Sequence, residues 1–181
     1  RRKADLQKYK DVTIPYNIQP FNIANATNVQ NLITNLRKMQ GIILIDAPGN
    51  LTQQGLIPIF ANSDYIICPF QYEMTSINAT ATFISFIYKI RAKLSKDVAQ
   101  LFLVDNSHDK RFGKKEELEL WRMTAKRFSE YGLITPMVEY RAEMRRYTTL
   151  YLMKTQEIII SPAFDFIYNH IFIKEKNNGK E

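Results

Sequence analysis

Cysteine, histidine and long apolar runs are scarce in this 181-residue sequence, and each scarcity excludes a class of protein. The one cysteine, Cys68, cannot form a disulfide within the chain, which is typical of proteins from a reducing cytoplasm. The two histidines, His108 and His170, are too few and too scattered to predict a zinc site with it. No apolar run approaches the roughly 20 residues that span a bilayer. We therefore predict a cytoplasmic protein without a membrane-spanning segment.

The sequence also lacks a phosphate-binding loop. Such a loop requires Gly-x-x-x-x-Gly-Lys-Ser/Thr between a strand and a helix, so that backbone amides and the lysine surround the phosphates. The two Gly-Lys pairs, at Gly113 and Gly179, neither follow a buried strand nor have a second glycine at the required distance. The chain as given is therefore not expected to hydrolyse ATP.

Basic residues outnumber acidic ones, with 25 lysines and arginines against 18 aspartates and glutamates, for a formal net charge of +7. This balance favours an acidic partner, nucleic acid first and an anionic membrane surface second, although charge that only aids solubility fits as well. The basic side chains accumulate in the second half of the chain, at Lys110, Arg111, Lys114, Lys115, Arg122, Lys126, Arg127, Arg141, Arg145 and Arg146. A solvated helix face balanced by neighbouring glutamates is the alternative interpretation.

Short apolar runs alternate with amphipathic stretches. The runs are Ile42–Ile45, Tyr65–Cys68, Leu101–Val104 and Leu133–Val138, and none alternates apolar with polar residues. We expect each to be a strand buried on both faces, as in the centre of a parallel sheet. Helical spacing follows or precedes them at 29–36, 77–88 and 118–128, with two more helices around 144–154 and 164–173. The pattern predicts a single α/β domain over 1–181, a doubly wound, mostly parallel sheet with helices on both faces.

The stretch from Gly41 to Asn50 carries the most chemistry. An apolar strand that ends in Asp46 places a carboxylate at the carboxyl edge of a parallel sheet, where open α/β folds bind their ligands. A carboxylate there can hold Mg²⁺ against nucleotide phosphates, directly or through water. Pro48 and Gly49 would then turn the chain out of the strand. The alternative is an aspartate that only caps the next helix.

The order of these motifs resembles the ParA/MinD family of deviant Walker ATPases. In that family a strand ending Asp-Thr/Ala-Pro, here at Asp46, precedes a helix and an Ala-x-x-Asp turn, here Ala61–Asp64. A strand ending in proline follows, here at Pro69, and then a strand that leads to an asparagine, here Asn106. The resemblance covers roughly residues 41–150, and it implies a P-loop NTPase-like fold.

The resemblance also implies roles for individual residues. Asp46 would be the catalytic carboxylate that positions Mg²⁺. Together with Pro48 and Gly49 it would bind ATP. Asn106 would hydrogen-bond adenine, with Pro136 and Met137 beside the base. The residues expected to bind DNA without sequence preference are Arg141, Arg145 and Arg146. The implied protein is an ATP-dependent homodimer that works with a ParB-like partner to segregate a plasmid or a conjugative element.

The family carries its phosphate-binding loop on an N-terminal strand and helix that this sequence lacks. The resemblance therefore implies an N-terminally incomplete version of a longer ATPase, without roughly forty residues of strand, loop, helix and strand. Two alternatives stay open. One is a degenerate, non-catalytic relative that acts as an interaction protein. The other is a different enzyme of the P-loop class, such as a small-molecule ligase or kinase.

Overall fold

The chain folds into an α/β structure with one parallel sheet. The computed structural model describes residues 2–9, 16–94, 99–109, 111, 113–146 and 148–173. Lys110, one of the basic residues named above for the second half of the chain, lies outside these ranges. The helices are α1 (Arg2–Lys8), α2 (Ala26–Leu36), α3 (Leu56–Asn62), α4 (Met74–Leu94), α5 (Lys115–Ser129) and α6 (Lys154–Tyr168). The strands are β1 (Tyr65–Phe70), β2 (Gln100–Asp105) and β3 (Leu133–Ile134). A 3-10 helix (Ala142–Arg146) precedes α6, and a π-helical segment (Asn169–Ile173) follows it.

The three strands are parallel and lie in the order β1-β2-β3. Along β1 and β2 the register runs from Tyr65 opposite Gln100 to Phe70 opposite Asp105. A helix separates each pair of consecutive strands, α4 after β1 and α5 after β2, as parallel pairing requires. The prediction of an α/β chain with a parallel sheet is confirmed.

Apolar side chains cover both faces of β2. Leu101 and Leu103 point to one face and join a core cluster with residues of α2, α3, α4 and α5. Phe102 and Val104 point to the other face, where they pack with Ala163 of α6. Because successive side chains of a strand alternate between faces, a fully apolar strand such as β2 needs a cover on each side. Helices therefore lie on both faces of the sheet, as the sequence predicts.

The first predicted strand is absent. Residues 42–48 form no strand, and the apolar side chains are exposed, Ile42 by 72% and Leu44 by 86%. An apolar run becomes a buried strand only where neighbouring strands satisfy its backbone groups. Among the described residues the sheet consists of β1, β2 and β3, and this run pairs with none of them. The expectation that Ile42–Ile45 is a central strand is wrong for the fold described here.

Three further differences concern the chain from β3 onward. The strand predicted over Leu133–Val138 stops as β3 after Ile134, close to Pro136, which has no N–H for a ladder. The helix predicted around 144–154 is instead the short 3-10 helix that ends at Arg146. The last helix begins earlier than expected, at Lys154.

In the part of the chain that is described, no helix is both long and apolar enough to cross a bilayer.

Candidate functional site

The ends of the parallel strands meet at one edge of the sheet. Beyond β2 the backbone continues to pair: the Asn106 amide donates to the Phe70 carbonyl at 2.9 Å, and the Val138 amide to the Asp105 carbonyl at 2.7 Å. The His108 amide then donates to the Val138 carbonyl at 2.9 Å. These bonds fix residues 105–108 between the ends of β1 and β3. This is the edge where open α/β sheets bind ligands.

Within this turn Ser107 has a φ of 55°. Residues other than glycine occupy this left-handed region only at a cost, and such strain concentrates at functional sites. The chain nevertheless keeps its direction, because His108 pairs in parallel with Glu139, so Ser107 interrupts the extended backbone between Asn106 and His108 without reversing it. The strained position therefore marks the turn as a candidate site.

Asp105, the last residue of β2, carries a buried carboxylate. The residue is 7% exposed, and its Oδ2 lies 3.4 Å from Nδ1 of His108. Its other oxygen, Oδ1, is buried and accepts no hydrogen bond from the described residues. Burial raises the pKa of Asp105 above its ordinary value, and the charge and hydrogen bond of His108 offset part of that rise. One oxygen of the Asp105 carboxylate can therefore still accept a hydrogen bond.

Three aromatic rings, including that of His108, contact one another at this end of the sheet. Tyr72, just after β1, stacks on Trp121 of α5 with ring centroids 5.2 Å apart and planes inclined by 19°. The His108 ring meets both edge-on, at 6.0 Å from Tyr72 and 5.6 Å from Trp121. Burial, and then the negative charge of Asp105, raise the pKa of Tyr72 to about 12. We call Tyr72, Asp105, His108 and Trp121 the carboxyl-edge cluster.

Gly113 allows the loop before α5 to lie against this cluster. Its φ is +121°, a conformation that side chains disfavour, and an added Cβ would lie 2.8 Å from Cδ2 of Leu118 and 3.3 Å from Trp121. The first turn of α5 is capped at the same place, because the Glu117 carboxylate accepts a 2.7 Å hydrogen bond from the Lys114 amide. The position of Trp121 is therefore set by the glycine and the cap.

The buried carboxylate is energetically costly. An unsatisfied buried acceptor costs about 1–3 kcal/mol, so Asp105 is expected to destabilise the folded chain. Oδ1 is buried, so an external donor could reach it only if neighbouring side chains moved. The cluster thus combines one acceptor-only carboxylate with aromatic surface at the ligand-binding edge.

Three of the predicted site residues lie at this edge. Asn106 is half-buried directly after β2, and Pro136 and Met137 follow β3 with exposed side chains. The bond from the Val138 amide to the Asp105 carbonyl brings the segment containing Pro136 and Met137 alongside the end of β2. The structure therefore brings together the residues that the resemblance assigns to the base. Their contact with adenine stays a prediction.

The residues predicted to handle the phosphates are not positioned by the sheet. Asp46, Pro48 and Gly49 are exposed in a segment without a strand, although the neighbouring Ala47 packs against the first core cluster. No group of three or more His, Cys, Asp and Glu side chains suited to a metal ion occurs in the described ranges. A lone exposed carboxylate does not form a magnesium site, since Mg²⁺ requires near-octahedral oxygen coordination. Asp46 as folded here does not fit the metal role by itself.

The predicted DNA-binding arginines differ in their surroundings. Nε and Nη2 of Arg141 both donate to Oε2 of Glu139, at 3.0 and 2.7 Å, so this arginine already has a carboxylate partner. Arg145 and Arg146 are exposed at the end of the 3-10 helix. The Arg145 guanidinium lies over the Tyr140 ring, 5.3 Å from its centroid. Arg145 and Arg146 are thus the better placed of the three to contact phosphates.

Sequence reasoning missed the carboxyl-edge cluster. Asp105 ends an apolar run in the same way as Asp46, and the argument applied to Asp46 would have identified it. The helical spacing of Trp121 predicts a core residue. Its contact with Tyr72 could not be predicted, because that contact depends on how α5 packs across the sheet. No protein-family model matches the chain, and a comparison with curated proteins finds no significant match.

Proposed function

We propose that the protein is a partition ATPase of the ParA/MinD type, which helps to segregate a plasmid, a mobile element or a chromosome. In this proposal ATP and Mg²⁺ are bound between two copies of the chain, and the ATP-bound dimer binds DNA without sequence preference. A ParB-like partner stimulates hydrolysis and thereby releases the dimer from DNA. The setting is the cytoplasm.

One observation carries the proposal. Asn106 is bonded to the end of β1 through Phe70, and it lies at the same sheet edge as Pro136 and Met137. An asparagine amide has both a donor and an acceptor, which is the pattern that the edge of adenine presents in reverse. The parallel register of β1 and β2 supports this assignment, because it aligns the two strand ends.

The catalytic half of the proposal makes a structural demand. Asp46 can act on a phosphate-bound metal only when Ile42–Ile45 joins the sheet as a strand, which would carry the carboxylate to the carboxyl edge. It also requires a phosphate-binding loop, which the 181 residues do not contain.

The test is a binding and hydrolysis assay of the protein with MgATP, with and without DNA. We expect Asn106→Ala to weaken ATP binding by about tenfold or more, since it removes one polar contact to the base. Asn31→Ala, which changes an exposed asparagine of α2, is the matched control and should leave binding unchanged. Absence of ATP binding at millimolar concentration, by a protein that contains the phosphate-binding loop, would contradict the proposal.

A second candidate function is a non-catalytic interaction protein of the same ancestry. The exposure of Ile42–Ile45 and the position of Asp46 outside the sheet favour this function. A chain that binds no phosphates does not require Ile42–Ile45 to form a strand of the sheet. It predicts a gene product that lacks the loop lysine and does not hydrolyse ATP under any condition. The hydrolysis assay decides between the two candidates.

A further inference from the structure

The N-terminal helix α1 is docked onto a distant part of the chain. Oδ2 of Asp5 accepts hydrogen bonds from both the amide and the hydroxyl of Thr149, each at 2.8 Å. The Tyr9 ring packs edge-on against Tyr151 with centroids 5.5 Å apart. The Tyr16 hydroxyl adds a third contact, a 3.0 Å bond to the Thr149 carbonyl. Three side chains near the N-terminus thus converge on residues 149–151.

The docking point lies next to the predicted DNA-binding arginines. The 3-10 helix that carries Arg145 and Arg146 ends three residues before Thr149. Gln156, which is completely buried in α6, holds this 3-10 helix, because its Nε2 donates to the Glu143 carbonyl at 2.9 Å. The arginines therefore extend from a fixed backbone rather than from a free loop.

Docking places the lysines of α1 near these arginines. Three residues of chain span at most about 11 Å, and Lys8 follows Asp5 by less than one helical turn, about 5 Å along the axis. The hydrogen-bonded pair Asp5 and Thr149 adds at most about 8 Å between Cα atoms, so the backbones of Lys8 and Arg146 are within roughly 25 Å of each other, a distance that covers several phosphates along one DNA strand. Lys3 and Lys8 are both exposed, and Nζ of Lys8 lies over the Tyr9 ring at 5.1 Å.

The charge balance of this region favours an anionic partner. Four exposed cations of α1 and the 3-10 helix, Lys3, Lys8, Arg145 and Arg146, make up what we call the α1 basic surface. The acidic residues on these two helices are Asp5, which is engaged with Thr149, and Glu143. Of the large apolar side chains on α1, Leu6 is exposed by 40%, whereas a membrane-binding helix needs a wide apolar face. The surface therefore suits a phosphate backbone better than a lipid bilayer.

We propose that docked α1 and the 3-10 helix form one binding surface for double-stranded DNA, with Lys3 and Lys8 contacting phosphates beside Arg145 and Arg146. The inference rests on the DNA binding in the proposed function and adds to it a part of the chain outside the region of resemblance. Asp5 is a positioning residue, because it acts by holding α1 and does not itself contact DNA.

Asp5→Ala gives a test in which charge and docking predict opposite results. The substitution raises the net charge by one, so a surface that acts through total charge alone would bind DNA more tightly. Loss of the Thr149 contacts releases α1 instead, and we expect binding to a labelled random-sequence duplex to weaken about three- to tenfold. Asp165→Ala removes an exposed carboxylate from α6 and is the charge-matched control, for which no weakening is expected.

A second pair of variants tests the lysines without disturbing the docking. Lys3→Ala with Lys8→Ala should weaken DNA binding about tenfold and reduce the slope of log affinity against log salt by about 2. Lys89→Ala with Lys93→Ala, two exposed lysines of α4, removes the same charge elsewhere and should have a smaller effect. All four positions are exposed, so the fold is expected to be retained.

Equal effects of the two lysine pairs, or an Asp5→Ala protein that binds DNA as tightly as Asp165→Ala, would overturn the inference. The inference would also be overturned if the double variant Lys3→Ala with Lys8→Ala lost binding to phosphatidylserine vesicles but bound DNA as tightly as wild type. DNA binding by a protein that never binds ATP overturns the ATPase proposal but leaves this inference in place. A wild-type protein that binds MgATP but binds no DNA at low salt overturns both.

Discussion

Asp105 and His108 face each other across the turn that ends β2, with Oδ2 of the aspartate 3.4 Å from Nδ1 of the histidine. The second oxygen of Asp105 is buried without a partner among the described residues. A carboxylate in this position reduces the stability of the fold, because burial disfavours its charged form more than His108 compensates. Costly features of this kind are expected at functional positions, which makes Asp105 a candidate for mutagenesis.

Asp105→Asn is therefore expected to stabilise the protein, by on the order of 1 kcal/mol near neutral pH, because an amide removes the buried charge. The pKa of Asp105 is raised in the folded state, so its contribution is favourable below the unfolded pKa and is lost as pH rises through the folded pKa. The stability advantage of the variant should accordingly grow as pH rises from about 4 towards neutrality. Urea unfolding of both proteins over this range measures it. A variant less stable than wild type throughout would show that the carboxylate is satisfied.

Cys68 is expected to be unreactive in the folded protein. Burial raises its pKa from 9.0 to about 11, so near pH 8 the thiolate fraction falls about 100-fold. The rate of reaction with a chromogenic disulfide reagent should therefore be about 100-fold lower in buffer than in concentrated urea. Equal rates in the two conditions would mean that the thiol is not buried in β1.

Phe102 tests the core on the second face of the sheet. The side chain is fully buried in β2, and Phe102→Ala should lower the free energy of unfolding by about 3–5 kcal/mol. Phe164→Ala, at a position of α6 that is 50% exposed, is the matched control and should cost less than about 1 kcal/mol. Chemical denaturation of the two variants compares them directly. Similar losses would contradict the placement of α6 over β2.

Gly132 tests the approach of the chain to β2 just before β3. An added Cβ would lie 2.6 Å from the Leu101 carbonyl oxygen, so Gly132→Ala should destabilise the protein by about 1–3 kcal/mol. At Gly49 nothing lies within 4 Å of an added Cβ, and Gly49→Ala should be close to neutral. Thermal unfolding of the two variants gives the comparison. An unchanged midpoint for Gly132→Ala would place the β3 backbone further from β2.

The central strands could be predicted because their partners lie within the chain. The apolar run Leu101–Val104 lies inside β2, and Tyr65–Cys68 lies inside β1. The run Ile42–Ile45 has the same composition, but composition shows only that a segment can be buried and not that a partner is present. The 43% exposure of Ile67 in β1 shows the same limit, since one face of this strand is only partly covered.

The candidate site was predictable where it depends on strand ends and not where it depends on packing between elements. Asn106 follows an apolar run, so its place at the carboxyl edge follows from the parallel sheet. The stacking of Trp121 on Tyr72 joins α5 to the loop after β1, and no local pattern indicates that contact. The docking of Asp5 on Thr149, 144 residues apart, was equally hidden from the sequence.

The most direct test of the account uses Trp121, the one tryptophan of the chain, as a reporter beside the predicted base site. Its fluorescence is recorded during titration with an adenine nucleotide and Mg²⁺, for wild type and for Asn106→Ala. The proposed adenine site predicts a saturable change in wild type that shifts to about tenfold higher nucleotide concentration in the variant. A saturable change with the same midpoint in both proteins, or no change in a protein that binds ATP by calorimetry, would contradict it.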